Sequence, residues 1–308
     1  GIVLNAGLPV DLGRRRFLVG AALGAGAGGA GTAFGRATLV TPWDLKVARY
    51  EVELDGLPPA MNGFRIVQLT DTHLGPRIPR EHVERACEMA AALRPDLIAL
   101  TGDYIHMGTR YICPAAEIFG RMVSARGSRL GVVATLGNHD FYGDAGLSIQ
   151  LLKEAGVVVI ENDRVFVRAG SGALDTEPGG DGEDLCIAGV SDLLEGVIDA
   201  QAALRGVDPS TPRVMLAHNP DTSEWITRNS REKPRVDLML SGHTHGGQVV
   251  LPLIGPPVVP SAYGYAHGMV RSSLCPLIVS AGVGMSIMPL RVNVPPEVVE
   301  IVLTRRAR

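Results

Sequence analysis

The sequence predicts an α/β layered fold whose sheet strands are buried on both faces. From about Trp43 onwards, short apolar runs alternate with helical patterns, and such alternation is typical of parallel strands connected by helices. Of the 308 residues, 46% are hydrophobic and 20% are charged, so there is apolar material for a sizeable core. This composition excludes wholesale disorder and a small scaffold held together by disulfides.

Nine apolar runs fit buried strands because each is short, mainly apolar and bounded by polar or turn-forming residues. In chain order they are Phe64–Leu69, Leu97–Leu100, Leu130–Leu136, Val157–Ile160, Leu185–Val190, Val214–Ala217, Val236–Leu240, Leu277–Ser280 and Val298–Leu303. Three segments have the periodicity of amphipathic helices. They are Arg80–Leu93, Ala115–Ser124 and Leu147–Ala155. No internal repeat and no second domain are apparent in this pattern.

The N-terminal segment differs in composition from the rest of the chain. Arg14-Arg15-Arg16 is followed by 19 uncharged residues, seven of them glycine and six alanine, before Arg36. A basic segment before a mildly apolar run is typical of an export signal, and Arg14–Leu18 resembles the twin-arginine pattern R-R-x-F-L. We therefore expect residues 1–42 to be a twin-arginine-type signal or membrane anchor plus linker. The protein would then be exported by the twin-arginine machinery to the extracytoplasmic or periplasmic face of the membrane, where it could stay anchored.

Charge and cysteine content exclude several other classes. A net charge of −3 and an aromatic content of 5% provide neither a basic patch nor a base-stacking surface, so nucleic acid is not an expected partner. The four cysteines contain no C-x-x-C pair, which argues against a structural zinc site and a redox motif. Buried free thiols are the simpler interpretation, with a disulfide left open for an exported protein. These cysteines are Cys87, Cys113, Cys186 and Cys275.

Histidine, aspartate and asparagine cluster where five of the predicted strands end. The clusters are Thr70-Asp71-Thr72-His73, Thr101-Gly102-Asp103, Gly137-Asn138-His139-Asp140, His218-Asn219 and Gly242-His243-Thr244-His245. Loops at the carboxyl ends of strands converge on one crevice, and the D-x-H and H-x-H spacings place both side chains on one side of an extended segment. Carboxylate, imidazole and amide ligands suit Mn, Fe, Zn or Co. The sequence therefore predicts a metal site at this crevice.

Four further features of the sequence carry less specific signals. His82 and His106 fit exposed helix or loop histidines with structural roles. Tyr104 follows Asp103 directly, and it fits a position facing the site as well as a packing position. The apolar stretch Leu251–Pro260 fits either an acceptor of acyl chains at a membrane or a proline-rich loop packed on the sheet.

Taken in order, the five clusters resemble the calcineurin-like metallophosphoesterases, whose pattern is D-x-H, G-D, G-N-H-D/E, H and G-H-x-H. The resemblance extends over most of residues 50–308, and it implies a two-sheet αββα sandwich with residues 43–308 as the metallophosphoesterase domain. The tail from Gly282-Val283-Gly284 to Pro289-Leu290-Arg291 is most similar to a bacterial branch with exported, often twin-arginine-led members. Some of that branch act on UDP-diacylglucosamine-type or other envelope phosphoesters.

The resemblance implies a centre of two divalent metal ions, either Mn, Fe, Zn or Co, with seven protein ligands. These are Asp71, His73 and His245 for the first ion, Asn138, His218 and His243 for the second, and Asp103 as the bridge between them. His139 is similar to the family histidine that protonates the leaving group or stabilises the transition state. Asp140 would orient that histidine.

The implied function is two-metal-dependent hydrolysis of a phosphoester or pyrophosphate bond, on an envelope lipid or a cell-wall substrate. Two cations about 3.5–4 Å apart stabilise both the attacking and the departing oxygen of an in-line displacement. The alternatives are a broad-specificity phosphodiesterase, phosphomonoesterase or nucleotidase, and a metal-binding interaction scaffold without activity. The complete set of motif residues favours an enzyme, because a scaffold needs no general acid.

Overall fold

The computed structural model describes residue 32 and residues 35–169, 172–179, 183–286 and 288–306. The predicted signal in residues 1–42 lies mostly outside these ranges, and it stays a prediction. Within them, the chain begins with a π-type turn at Arg36–Val40 and a 3-10 turn at Thr41–Trp43. Across the described ranges, no helix combines the length and the apolar character needed to cross a bilayer.

The described residues contain thirteen strands, which form two sheets. The strands are β1 Lys46–Leu54, β2 Phe64–Leu69, β3 Leu97–Thr101, β4 Val132–Thr135, β5 Val158–Val159, β6 Asp163–Arg168, β7 Leu174–Asp175, β8 Asp184–Gly189, β9 Arg213–Leu216, β10 Leu238–Ser241, β11 Gly268–Arg271, β12 Pro276–Val279 and β13 Glu297–Arg305. The first sheet has the order β1-β13-β2-β3-β4-β5 and the second β11-β12-β10-β9-β8-β6-β7. Strands β2 to β5 are parallel to one another, as are β8, β9, β10 and β12.

Helices cover the outer faces of both sheets. The α-helices in the described ranges are α1 Arg80–Ala92, α2 Ile112–Ser124, α3 Asn138–Gly143, α4 Ala145–Glu154, α5 Ala200–Ala203 and α6 Thr222–Asn229. One buried cluster joins α1, α2 and α4 to the first sheet, a second fills the space between the sheets, and a third joins α5 and α6 to the second sheet. These layers are the two-sheet αββα sandwich that the resemblance implies, and they confirm the α/β class.

The predicted strands all exist, and each end lies within two residues of its predicted position. The prediction omitted β1, β6, β7 and β11. Strand β1 alternates exposed residues with partly or fully buried ones from Arg49 to Leu54, so it has no continuous apolar run. Helix α2 begins three residues before its predicted start because Pro114 fits in its first turn, where the missing N–H has no helical partner to lose.

Glu161 lies in the turn between β5 and β6 and connects that turn to the end of β4. Its Oε1 accepts a hydrogen bond from the Leu136 N–H at 2.7 Å. Burial raises the pKa of this carboxyl group to about 7 from an ordinary value of 4.5. The folded state therefore binds a proton between pH 4.5 and 7 that the unfolded state has released, so stability decreases as the pH rises through that range.

Replacing Glu161 by Gln removes this titration while keeping an oxygen for the Leu136 N–H. Between pH 5 and pH 8, we expect the free energy of unfolding to decrease less in the variant than in the unchanged protein, by on the order of 3 kcal/mol. Urea unfolding at the two pH values measures the difference. Glu232→Gln, at an exposed position, is the control, and equal pH dependence in the two variants would contradict the prediction.

Candidate active site

The structure brings all seven predicted ligand residues to one edge of the sandwich, because the parallel strands of both sheets end there. Asp71 and His73 follow β2, Asp103 follows β3, and Asn138 is the first residue of α3 after β4. From the second sheet, His218 follows β9, and His243 and His245 follow β10.

The first group of donor atoms consists of Asp71, His73 and His245, which are all buried. The Nε2 atoms of the two histidines are 3.0 Å apart, and Asp71 Oδ1 is 3.3 Å from His245 Nε2 and 3.7 Å from His73 Nε2. Ligands bound at about 2.0–2.2 Å from one ion are separated by such distances. The group therefore fits a single divalent cation.

A second group lies next to it, formed by Asp103, His218 and His243. His243 Nδ1 is 3.3 Å from His218 Nε2 and 3.1 Å from the Asn138 side-chain oxygen. Asp103 Oδ2 is 3.3 Å from His218 Nε2 and 3.5 Å from His73 Nε2. This carboxylate thus reaches both groups, as a ligand shared between two ions would.

Hydrogen bonds behind the site determine which nitrogen of His218 is available. Its Nδ1 lies 2.8 Å from the Thr101 carbonyl oxygen. Since a carbonyl can only accept, Nδ1 carries a hydrogen, so Nε2, which lies 3.3 Å from Asp103 Oδ2, is the nitrogen available to a metal ion. A metal-binding histidine in proteins is commonly held in this way by its second nitrogen.

Local backbone conformation aims the donor side chains. Five of the ligand residues have φ angles between +45° and +69°, in the left-handed region that non-glycine residues rarely adopt. They are Asp71, His73, Asp103, His243 and His245. Such conformations persist only where the surrounding structure holds them, so part of the stability of the fold maintains this site.

Two glycines allow the strand ends to approach the carboxylates. A β-carbon on Gly137 would lie 2.3 Å from Asp103 Oδ1 and 2.8 Å from His218 Cε1, and one on Gly242 would lie 2.1 Å from Asp71 Oδ2. Contacts this short do not occur between real side chains. Neither position therefore accepts a larger residue while the donor groups stay in place.

The electrostatics of the two groups follow from burial and mutual attraction. Burial opposes ionisation of Asp71, but His245 and His73 lower the pKa of this carboxyl group well below its ordinary value. Burial likewise opposes protonation of His218, but Asp103 raises its pKa. For His245 and His243 burial prevails and lowers the pKa. Both rings are then neutral at pH 7, which is the form that binds metal.

His139 lies at the edge of the two donor groups, and one of its ring nitrogens faces the cleft. Its backbone N–H donates to Asp103 Oδ1 at 2.8 Å, and its Nδ1 donates to the His106 carbonyl oxygen. Since that carbonyl can only accept, Nε2 is the atom left for a substrate, 3.5 Å from the Ser286 hydroxyl. Burial lowers the pKa of this imidazole.

His106 is a site residue that the sequence did not reveal, and its interpretation as an exposed histidine was wrong. It is half-buried and stacks on His139 with ring centroids 5.5 Å apart. Pairing of Leu74 with Ile105 places it there, a contact between distant segments that leaves no local signal. Its Nδ1 is buried without a hydrogen-bond partner among the described atoms.

Asp140 contacts the backbone rather than the His139 ring. Its carboxylate accepts N–H donors from Asp103, Tyr104 and Gly137 at 2.8–2.9 Å. Burial and the nearby Asp103 carboxylate raise its pKa, although the N–H donors of Gly137 and Tyr104 oppose this. The expected orienting role therefore takes an indirect form, in which Asp140 ties the turn after β3 to the start of α3.

Other sequence interpretations are corrected or resolved by packing. His82 is buried rather than exposed, because its ring contacts Trp43 and lies 3.1 Å from the Val283 carbonyl. Tyr104 has the packing role, since its hydroxyl donates to the Thr135 carbonyl behind the site. All four cysteines are free thiols, as expected, but Cys113 is exposed. The Leu251–Pro260 stretch is not packed on the sheet throughout, because Leu253 and Ile254 are exposed.

Arg291 is a further residue that supports the site from behind. Its side chain is fully buried and donates to the carbonyls of Ala281, Gly282 and Gly284. Gly282 and Gly284 in turn lie against Asp71. Arg291 thus holds the turn after β12 against the first group of donors.

The donor groups open into a cleft of about 350 Å³. Its lining includes Asp103, His139, His243 and His245. Val258, Pro260 and Met288 form the apolar part of the same lining, which we call the apolar wall. A larger groove of about 550 Å³, between α1 and α2, contains none of these donors.

The family model for calcineurin-like phosphoesterases matches residues 64–247 of this chain, the segment that carries all seven candidate ligands and His139. The chain belongs to the calcineurin-like phosphoesterase family. It is a metal-dependent phosphoesterase, in agreement with the two donor groups at the strand ends. The expected reaction class is thereby confirmed.

Relatives within the calcineurin-like phosphoesterases have been described in bacteria and animals. The chain is 32% identical over 291 residues to the uncharacterized metallophosphoesterase YkuE of Bacillus subtilis, covering 92% of this chain and 95% of that one. It is 31% identical to the phosphodiesterase YaeI of Escherichia coli, covering 76% and 80% of the two chains. A transmembrane protein with a metallophosphoesterase domain from Danio rerio is 30% identical, covering 84% of this chain but 57% of that protein.

The close packing at Gly137 provides a test of the donor geometry. We expect Gly137→Ala to weaken Mn²⁺ binding by at least tenfold, because the added methyl group must displace Asp103 or His218. Calorimetric titration of the metal-free protein measures this affinity. Gly146→Ala, within α4 and with no neighbour closer than 3.4 Å, is the matched control. Equal Mn²⁺ affinity in the two variants would show that the packing at Gly137 is not required.

Proposed function

We propose that the protein hydrolyses a phosphodiester or pyrophosphate bond in an amphipathic envelope substrate, a lipid or a lipid-linked cell-wall precursor, outside the cytoplasmic membrane. The observation that carries this proposal is the composition of the cleft, which the candidate metal ligands line together with Val258, Pro260 and Met288. A phosphoryl group can lie against the donor groups while a hydrocarbon segment contacts the apolar wall. The phosphodiesterase activity named for the Escherichia coli relative supports a diester.

In this proposal the seven residues act as ligands of two divalent ions. Asp71, His73 and His245 hold the first ion, Asn138, His218 and His243 hold the second, and Asp103 is shared. When bound, the two ions neutralise charge on the phosphoryl group and activate the attacking water. The close spacing of Asp103 to both histidine groups supports this division.

His139 supplies the proton for the departing oxygen in the proposed reaction. The His106 carbonyl holds the Nδ1 hydrogen, so Nε2 is the position that carries the transferable proton. Because burial lowers the pKa of His139, its protonated form is a stronger acid than a free imidazolium. Asp140 contributes by holding the backbone of the two turns that carry Asp103 and His139.

A second candidate is a broad-specificity phosphodiesterase, phosphomonoesterase or nucleotidase that acts on soluble substrates. The two candidates differ in what the apolar wall contacts. Hydrolysis rates for UDP-diacylglucosamine, undecaprenyl pyrophosphate, teichoic-acid fragments and cyclic nucleotides, compared at equal enzyme concentration, distinguish them. Preference for the cyclic nucleotides would favour the second candidate.

Substitution of Asp103 and of His139 separates metal binding from proton transfer. With Mn²⁺ and bis-p-nitrophenyl phosphate, we expect Asp103→Ala to abolish hydrolysis because it removes the shared donor. We expect His139→Ala to keep near-normal metal content but to lose about 10²–10⁴-fold in turnover on an alkyl diester, whose leaving group needs a proton. Metal analysis and initial rates are the measurements. Unchanged turnover of His139→Ala on the alkyl diester would refute the role of this residue.

The proposed location depends on the N-terminal arginines. We expect replacement of Arg14 and Arg15 by lysine to retain the protein in the cytoplasm, because the twin-arginine machinery requires the arginine pair. Cell fractionation followed by immunoblotting measures the distribution. As a control, Arg36→Lys changes an arginine outside the pattern, and export of both variants at the same level would remove the twin-arginine hypothesis.

A further inference from the structure

Exposed apolar side chains concentrate on the face of the molecule that contains the cleft. Fifteen large apolar side chains are exposed in the part of the chain that the structure describes, and ten of them lie in the segments that follow β3, β4, β8, β10 and β12. All these strands end at the edge where the donor groups meet. Scattered single apolar residues are normal on protein surfaces, but a concentration of this kind marks an interaction site.

Several of these side chains lie in the cleft or next to residues that line it. Met107 follows His106, Tyr142 lies with its ring 5.2 Å from the His139 ring, and Val258 and Met288 line the cleft itself. Leu253 and Ile254 extend outward in a turn closed by reciprocal hydrogen bonds between Leu251 and Gly255. We call the exposed side chains of Met107, Tyr142, Leu253, Ile254, Val258 and Met288 the apolar collar.

The loop that provides half of the apolar collar has no charged residue. From position 249 to position 266, eighteen residues contain neither an acidic nor a basic side chain. Leu253 at the tip of the turn is fully exposed, and Ile254 and Val258 are 75% and 69% exposed. The neighbouring Pro256 packs on Gly247, beside His245. The loop is therefore anchored at the site and projects apolar groups away from it.

The N-terminal end of the described chain lies beside the base of this loop. The Arg291 N–H donates to the Ala37 carbonyl oxygen, and the Val250 N–H donates to the carbonyl of Val292, the next residue after Arg291. The uncharged run that ends at Gly35 thus continues into a segment adjacent to the loop. A chain held at a membrane through that run would present the loop close to the lipid.

From these observations we propose that the apolar collar docks on the surface of a lipid bilayer, so that the cleft opens at the membrane and takes its substrate from it. The choice of a bilayer over a second copy of the chain rests on the proposed function, because a protein partner seated on the apolar collar would cover the active site. A bilayer that contains the substrate supplies it through the same contact. Because the loop has no charged side chain between positions 249 and 266, we expect it to insert between lipids rather than to attach to them by electrostatic attraction.

The predicted signature is binding that depends on Leu253 and Ile254 and that resists salt. For the full chain and vesicles of phosphatidylcholine, we expect the double substitution Leu253→Asp and Ile254→Asp to lower the partition coefficient by about a hundredfold, since burial of each side chain contributes roughly a factor of ten or more. Binding of the unchanged protein should persist at about 0.5 M NaCl, where surface charges are screened. Val158→Asp, at an exposed position of the outermost strand of the first sheet, is the control.

A fluorescent label separates docking of the apolar collar from any binding by the N-terminal run. Cys113 is the exposed thiol among the four, so a Cys113→Ser chain with Ile254→Cys takes a nitrobenzoxadiazole label at position 254. With vesicles we expect a blue shift and a several-fold rise in emission there, and none for a label at Val158→Cys. If the emission wavelength and intensity of the label at position 254 stay as they are in water while the protein is bound to vesicles, the inference is overturned.

Two further outcomes are decisive. Dimerisation of the unchanged protein without vesicles, lost on the double substitution, would assign the apolar collar to a second copy and overturn docking on lipid. Hydrolysis of soluble bis-p-nitrophenyl phosphate by the double variant should stay within about twofold of the unchanged protein, because neither residue lines the cleft. Docking of the unchanged protein on vesicles without hydrolysis of bis-p-nitrophenyl phosphate would refute the proposed function alone. Hydrolysis of that substrate without docking on vesicles would refute this inference alone.

Discussion

The attraction between two buried carboxylates and the imidazoles around them is the interaction on which the rest of the structure depends. Asp71 and Asp103 are almost completely buried, and isolated charges in such positions destabilise a fold by several kcal/mol. They are tolerated because His73, His218 and His245 lie within 3.7 Å of their oxygens. A divalent ion in each donor group would extend the same compensation.

Other features of the molecule maintain this arrangement. The parallel strands of both sheets end at one edge, and left-handed turns aim the donor atoms inward. Gly137 and Gly242 have no β-carbon, and a β-carbon at either position would collide with the carboxylates. Asp140 and Arg291 hold the surrounding turns through backbone N–H and carbonyl groups. The packing of the apolar core on both sides of each sheet offsets the strain in these turns.

The same geometry explains why chemistry and surface character lie on one face. Strand-end loops carry the donor residues, so the loops that follow them also form the rim of the cleft. In this protein those loops expose apolar side chains, among them Met107, Ile254 and Met288. Polar donor residues in the cleft and apolar side chains on the surrounding loops suit a substrate with a phosphoryl group and a hydrocarbon part.

The sequence by itself determined the central strands and the candidate donors, because both are encoded locally. A continuous apolar run such as Leu97–Leu100, placed between helical patterns, predicts a strand buried in a sheet, and the polar residues directly after that strand then lie at the sheet edge. Strand β1 and helix α3 were missed since alternating or polar segments carry weaker local signals. Only the tertiary structure decided the roles of His106, which lies outside every motif, and of Ser286 and Arg291, which lie in the tail that carries the resemblance but to which the resemblance assigns no role. Their roles arise from contacts across long sequence separations, such as 147 positions between Ser286 and His139, and no local pattern specifies such contacts. The exposure of Leu253 and Ile254 was likewise decided by packing, because an apolar run fits the core and the surface equally well until its neighbours are placed.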